Sequence, residues 1–132
     1  MGRVPAGEVF SSRQQDEINR AIALAERQSG LHYAAYVGPT QGAPRDYAKS
    51  LLRGLADPGR SVLTLVDPGR RTLEIVTGSE AALRLDDRDC SLAAMTMAST
   101  FNAGDLAGGI ATGILQLADH ARRPKSLHLD QP

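Results

Sequence analysis

The sequence predicts an α/β protein, a three-layer sandwich in which a small mixed sheet of three to four strands is flanked by about four helices. Three observations predict it. Helical and strand patterns alternate through the first half of the chain. Val62-Leu63-Thr64-Leu65-Val66 is almost continuously apolar, as a strand covered on both faces must be. After one further strand pattern the chain turns to long helical periodicities that end in a glycine-rich apolar segment.

The elements follow in order. Ser12 and Gln15 have capping-box spacing, which predicts a first helix starting near Ser12. Ile18, Ile22 and Ala25 form its apolar stripe, with Ala21 and Leu24 beside them, and Gly30 terminates it. Leu31 to Val37 is short, rich in β-formers and closed by Gly38-Pro39, so it predicts a strand, with His32 on a half-buried face. Arg45 to Leu55, after Pro44, predicts a helix with Tyr47, Ala48, Leu51, Leu52 and Leu55 facing inward. Strand, helix and strand in succession predict a right-handed parallel crossover.

Two copies of Asp-Pro-Gly-Arg, Asp57 to Arg60 and Asp67 to Arg70, bracket the central strand. Proline before glycine predicts type II turns, because proline presets a negative φ and glycine accepts the positive one. Thr72 to Thr77 then returns antiparallel. Asp86-Asp87-Arg88-Asp89 places negative charge at a helix start, and Leu92, Ala93, Met95, Met97 and Phe101 supply that helix's expected buried face. A last helix runs from Asp105 to about Ala121, where Gly108, Gly109 and Gly113 predict close approach of a neighbour, since glycine inside a helix otherwise costs about 1 kcal/mol. Residues 8–121 are expected to form one domain, and the proline-containing segment 122–132 a poorly ordered tail.

Composition narrows the function classes. The 132 residues carry 15 basic and 15 acidic side chains, so no excess positive charge favours nucleic acid. The longest apolar stretch, Leu106 to Ala118, is too short and too interrupted to span a bilayer, which predicts no membrane insertion. No apolar leader follows Met1, and Cys90 is the sole cysteine, so a reducing, cytoplasmic setting is expected. His32, His120 and His128 lack zinc spacing, and neither a Walker loop nor a Gly-x-Ser-x-Gly elbow is present. Cys90 reads as a small buried hydrophobe, although a helix start can also lower a thiol pKa.

The carboxylates Asp67, Asp86, Asp87, Asp89 and Asp105 carry the chemical potential of the chain, because hard cations take several oxygen ligands. Asp67 ends the central strand, where open α/β sheets bind ligands. Each carboxylate also has a structural reading, as a helix cap or the first residue of a turn. The spacing does not match an EF-hand loop.

The order of Phe10-Ser11 before a polar helix, Val62-Leu63-Thr64-Leu65-Val66-Asp67, the hairpin into Glu74-Ile75-Val76-Thr77-Gly78, Leu85-Asp86-Asp87 and Phe101 through Ile110 resembles the TPM domain. That family includes thylakoid acid-phosphatase-like proteins, photosystem repair proteins and many bacterial proteins of unknown activity. The likeness is greatest to a compact, single-domain bacterial branch. The resemblance implies a sheet sandwiched between helices, divalent-cation binding, notably calcium, and in some plant members a weak phosphatase activity. Typical members carry Gly-x-Gly-x-Glu after the hairpin, where this chain has Gly78-Ser79-Glu80.

Two functions are therefore expected. The first is a non-catalytic binding or regulatory module, with a protein partner of unknown identity and a divalent cation, calcium first, held by Asp67, Asp86, Asp87 and Asp105. The alternative is a weak metal-assisted phosphatase in which such a cation polarises a phosphoryl oxygen. No organic cofactor and no catalytic residue is assigned.

Overall fold

The structure is a computed structural model that describes residues 10–122. In chain order the elements are α1 (Ser12–Ser29), β1 (His32–Val37), α2 (Pro44–Arg53), β2 (Ser61–Asp67), β3 (Thr72–Thr77), α3 (Asp87–Asn102) and α4 (Leu106–Ala121). The sheet order is β1-β2-β3, with β1 parallel to β2 and β3 antiparallel to it. Asp67 pairs with Thr72 at the hairpin end and Val62 with Thr77 at the other. The expected α/β sandwich is present, with a mixed sheet at the lower of the expected strand counts. His128 and the expected tail beyond Arg122 lie outside the described residues, as do residues 1–9.

The sheet separates two apolar layers because alternate strand residues face opposite ways. Tyr33, Ala35, Val37, Val62, Val66 and Ile75 pack into the larger core with α1, α3 and α4. Leu63, Leu65 and Val76 face Ala48 and Leu52 of α2. Tyr47, Leu51 and Leu55 are only half-buried, since a single helix covers this side. Every residue of β2 is buried, as its unbroken apolar run requires.

Helix α4 lies closely against α1 and α3, and its glycines make the approach to α3 possible. A Cβ on Gly109 would stand 2.6 Å from Phe101 Cε1 and 3.2 Å from the Met97 carbonyl oxygen, and one on Gly113 would strike the Met97 side chain.

Four local expectations are corrected. The capping box of α1 is Ser11 with Gln14, one residue earlier than expected: the Ser11 hydroxyl accepts the Gln14 N–H at 3.2 Å and Gln14 Oε1 accepts the Ser11 N–H at 2.9 Å. Gln15 instead sends its amide to the Phe10 carbonyl. Both Pro-Gly-Arg segments wind as single 3₁₀ turns, not type II turns, so neither Gly59 nor Gly69 has positive φ. In the second, the Asp67 carboxylate accepts the Arg70 N–H at 3.2 Å, which tightens the turn and moves the left-handed conformation to Arg71, φ 51°.

In α3 the buried line is Ala93, Met97 and half-buried Phe101, four residues apart; Leu92 and Met95 point outward at 37% and 67% exposure. Four-residue spacing keeps side chains on one face, whereas Leu92 and Met95 fall on the next stripe. His32 is exposed, its imidazole between the carboxylates of Glu26 at 3.9 Å and Asp57 at 3.6 Å, because it is the first residue of an edge strand.

Candidate functional site

The predicted acidic residues fall on three separate loops. Asp67, 3% exposed at the end of β2, has both oxygens engaged. Its Oδ2 accepts the Thr40 N–H at 2.9 Å and the Thr40 hydroxyl at 2.8 Å, and its Oδ1 accepts the Arg70 N–H. The Arg70 guanidinium closes the arrangement with bonds to Thr40 Oγ1 at 2.9 Å and the Gly42 carbonyl at 3.0 Å. These contacts hold the Asp67 carboxyl below its ordinary pKa, the Thr40 hydroxyl foremost, against the opposing effect of burial. The strand-end crevice is thus filled by the chain's own side chains.

Asp86 is the N-cap of α3, accepting the Asp89 N–H at 2.9 Å, while the Asp89 carboxylate accepts the Asp86 N–H at 3.1 Å. Asp89 also meets His120 Nδ1 at 3.1 Å, linking the start of α3 to the end of α4. Asp105 caps α4 through the Gly108 N–H at 2.9 Å. Asp87 is exposed on the first turn of α3 and makes no hydrogen bond or ion pair within the described residues. Asp86 and Asp87 are adjacent in the chain, but among the described residues no three His, Cys, Asp or Glu side chains gather as a metal ion would require.

A different feature lies along β3. A cleft of about 350 Å³ runs between the outer side of this strand and helix α3, with Arg45 of α2 among its lining residues. Leu73, Ile75 and Thr77 line the strand side; Asp87, Cys90, Ser91 and Ala94 line the helix side. The helix residues repeat at i, i+3, i+4 and i+7, so they form one face. Arg45 pairs with Glu74 at 3.1 Å and reaches the Ile75 carbonyl at 3.5 Å. Cys90 is half-buried, and its thiol is pushed up to about 11, first by burial and then by the negative charges of Asp89 and Asp87. The expected small hydrophobe is the role the thiol fills, since a protonated sulfur is a poor nucleophile.

Sequence reasoning did not join Arg45, Glu74 and the α3 face into one site. The four-residue small and polar stripe Asp87-Cys90-Ser91-Ala94 was a readable signal. The contribution of Arg45, 29 residues before Glu74, was not, because only the α2 crossover brings the two together.

The fold defines a small α/β sandwich in which a mixed sheet divides one helix from three. The chain belongs to the family described as domain of unknown function DUF5130, whose model matches residues 1–118. No curated protein matches it. Among solved structures it is similar to the BA42 protein of the psychrophilic bacterium Bizionia argentinensis, with TM-score 0.78 and 17% identity over 88% of this chain and 83% of that one. It is similar to the N-terminal domain of a protein from P. gingivalis, with TM-score 0.73 and 22% identity over 89% and 78% of the two chains. The N-terminal domain of the cg2496 protein from Corynebacterium glutamicum gives TM-score 0.74 and 16% identity over 96% and 85%. At these identities the likeness is one of fold. No helix among the described residues is long and apolar enough to cross a membrane.

Proposed function

We propose that this domain is a non-catalytic binding module whose binding surface is the cleft between β3 and α3. One observation carries the reading: the cleft combines apolar Leu73, Ile75 and Ala94 with the Asp87 carboxylate, unpaired among the described residues, and the Arg45–Glu74 pair. That mixture of apolar wall and a few polar groups is what a recognition site needs. The engagement of Asp67, Asp86 and Asp105 in caps and a turn supports the same reading, because it leaves those carboxylates structural work. The element order supports the finer, TPM-like affiliation within the family, and the single cysteine supports a reducing, cytoplasmic setting.

A divalent cation, calcium first, belongs to this proposal as a ligand of the acidic turn at Asp87. The test is amide-resolved NMR and thermal melting with calcium, magnesium and manganese at millimolar concentration. Binding raises the melting temperature by mass action and moves the amides near Asp87; Asp87→Asn removes both effects. No shift with any of the three ions overturns the cation part. Metal-dependent turnover of p-nitrophenyl phosphate, lost in Asp67→Asn or Asp87→Asn, would overturn the non-catalytic reading in favour of the phosphatase.

A further inference from the structure

Strand β3 is an edge of the sheet, and the pairing register settles which of its backbone groups are free. Gly78 donates its N–H to the Ser61 carbonyl at 2.9 Å, so alternate residues back along β3 turn their N–H and C=O groups toward β2. Leu73, Ile75 and Thr77, between them, turn theirs away from the sheet. These three residues line the strand side of the cleft together with Glu74. Among the described residues the contact to this row is the Arg45 guanidinium on the Ile75 carbonyl, and no hydrogen bond is made by the three outward N–H groups.

A row of outward backbone donors and acceptors facing a helix across a cleft is the geometry in which an extended peptide adds as a further strand. Five residues of β3 run about 17 Å at roughly 3.4 Å per residue, a length that four to five residues of added strand would match. The helix wall sets the side-chain preference. Cys90 and Ala94 share the cleft lining with Leu73 and Ile75 and leave room for an apolar side chain, and Asp87 on the first turn of α3 presents a carboxylate without a partner among the described residues.

We propose that the β3 edge binds an extended peptide by strand addition, with apolar side chains of the peptide against Cys90 and Ala94 and a lysine or arginine on Asp87. This rests on the reading of the cleft as a binding surface and names its partner class. The occupant is a peptide segment of another protein, selected by the charge of Asp87 and by the backbone row. Arg45, already paired with Glu74, holds the carbonyl in the middle of the row at 3.5 Å, and an added strand takes that acceptor by displacing this one long contact.

The test uses an acetylated heptapeptide of alternating valine and threonine with one lysine, titrated into the isotope-labelled protein. Saturable amide shifts are expected at residues 73–77 and 87–94. The same peptide N-methylated at alternate residues, which cannot pair, should give none. Asp87→Lys should weaken binding about fivefold, the scale of an exposed ion pair, and a glutamate in place of the peptide's lysine should recover it. Thr77→Pro, which removes an outward N–H without touching the β2 ladder, should also weaken binding; Ala94→Gln, which fills the groove from α3, serves if the proline variant does not fold. Equal binding of the N-methylated peptide, or no shift at millimolar peptide, overturns strand addition. Shifts at the same amides that grow with protein concentration alone overturn it in favour of a second copy of the chain. If calcium or another small solute moves the cleft amides and the peptides do not, strand addition fails while the binding-module reading stands.

Discussion

The Asp67 carboxylate accepts both the backbone N–H and the hydroxyl of Thr40, at 2.9 and 2.8 Å, across 27 residues of sequence. The loop after β1 is thereby fastened to the end of β2, and Arg70 completes the clasp from the hairpin turn. Hydrogen bonds to the charged form lower a carboxyl pKa, and Asp67 is lowered in this way.

A carboxyl whose pKa is lower in the folded state stabilises the fold above its unfolded value, and that contribution disappears as pH falls through the folded value. Thr40→Val deletes the hydroxyl bond, the largest cause of the lowering, and keeps the backbone one. The variant is expected to melt at a lower temperature than the parent at neutral pH. The gap should begin to narrow as pH falls below the ordinary carboxylate range and close once pH has passed the lowered pKa of Asp67. Circular dichroism melts across this range check it; a gap that stays constant at every pH would mean that the hydroxyl acts through its bond from Arg70 and its packing, not through the Asp67 charge.

Arg84 joins two helix ends. Its Nε donates to the Ala121 carbonyl at 2.8 Å and its guanidinium to the Ser29 carbonyl at 3.3 Å, at the C-termini of α4 and α1. Those carbonyls have no intrahelical donor, and a cation beside them complements the negative end of each helix. Arg84→Met keeps the aliphatic length and removes both bonds, so it should cost about 2 kcal/mol in urea unfolding, the scale of hydrogen bonds to a charged group. Arg84→Lys should lie between the two, since one ammonium cannot reproduce the forked geometry. Stability of Arg84→Met equal to the parent would remove the bridging role.

Gly109 and Gly113 separate two kinds of close approach. At Gly109 a new methyl would meet the Phe101 ring at 2.6 Å and the Met97 carbonyl at 3.2 Å, whereas at Gly113 it would strike the fully buried side chain of Met97 at Cγ as well as at its Cε end. Alanine adds helix propensity of about 1 kcal/mol at either position, but overpacking a fixed neighbour costs about 1–3 kcal/mol. Both alanine variants should therefore be destabilised; adding Met97→Ala, which removes the struck Cγ, should recover part of the loss for Gly113→Ala but not for Gly109→Ala, whose clashes are with the Phe101 ring and a backbone carbonyl. Equal recovery of the chemical-denaturation midpoint at the two positions would contradict the distinction.

Local chemistry was legible where one segment determines it. The apolar run of β2, Gly30 after α1, Asp86 and Asp105 as caps and the packing glycines of α4 all follow from nearest neighbours in the chain. Proline and glycine fit type II geometry as well as the 3₁₀ turns both segments adopt; in the second the Asp67 bond to the Arg70 N–H comes from the flanking residue, while the first winds the same way without a side-chain bond from Asp57. Met95 was misplaced because composition alone does not rank two adjacent apolar stripes; the long α4 contact with Ala93 and Met97 selects one. The cleft was hidden for a different reason. Its floor is a set of backbone groups, and backbone carries no sequence signal until the register is known.

Cys90 supplies a chemical probe of that cleft. Its thiol titrates at about 11 in place of 9.0, burial being the largest cause and Asp89 and Asp87 adding to it. Near pH 8 the thiolate fraction is then about a hundredfold lower than for an unperturbed thiol, and alkylation proceeds through the thiolate. Iodoacetamide should react with the folded protein about two orders of magnitude more slowly than with the protein in denaturant. Asp87→Asn should speed the native reaction only slightly, because it removes a lesser cause and leaves the burial. Native alkylation as fast as in denaturant would mean that the α3 wall of the cleft opens to solvent, and the apolar surface assigned to Cys90 would have to be withdrawn.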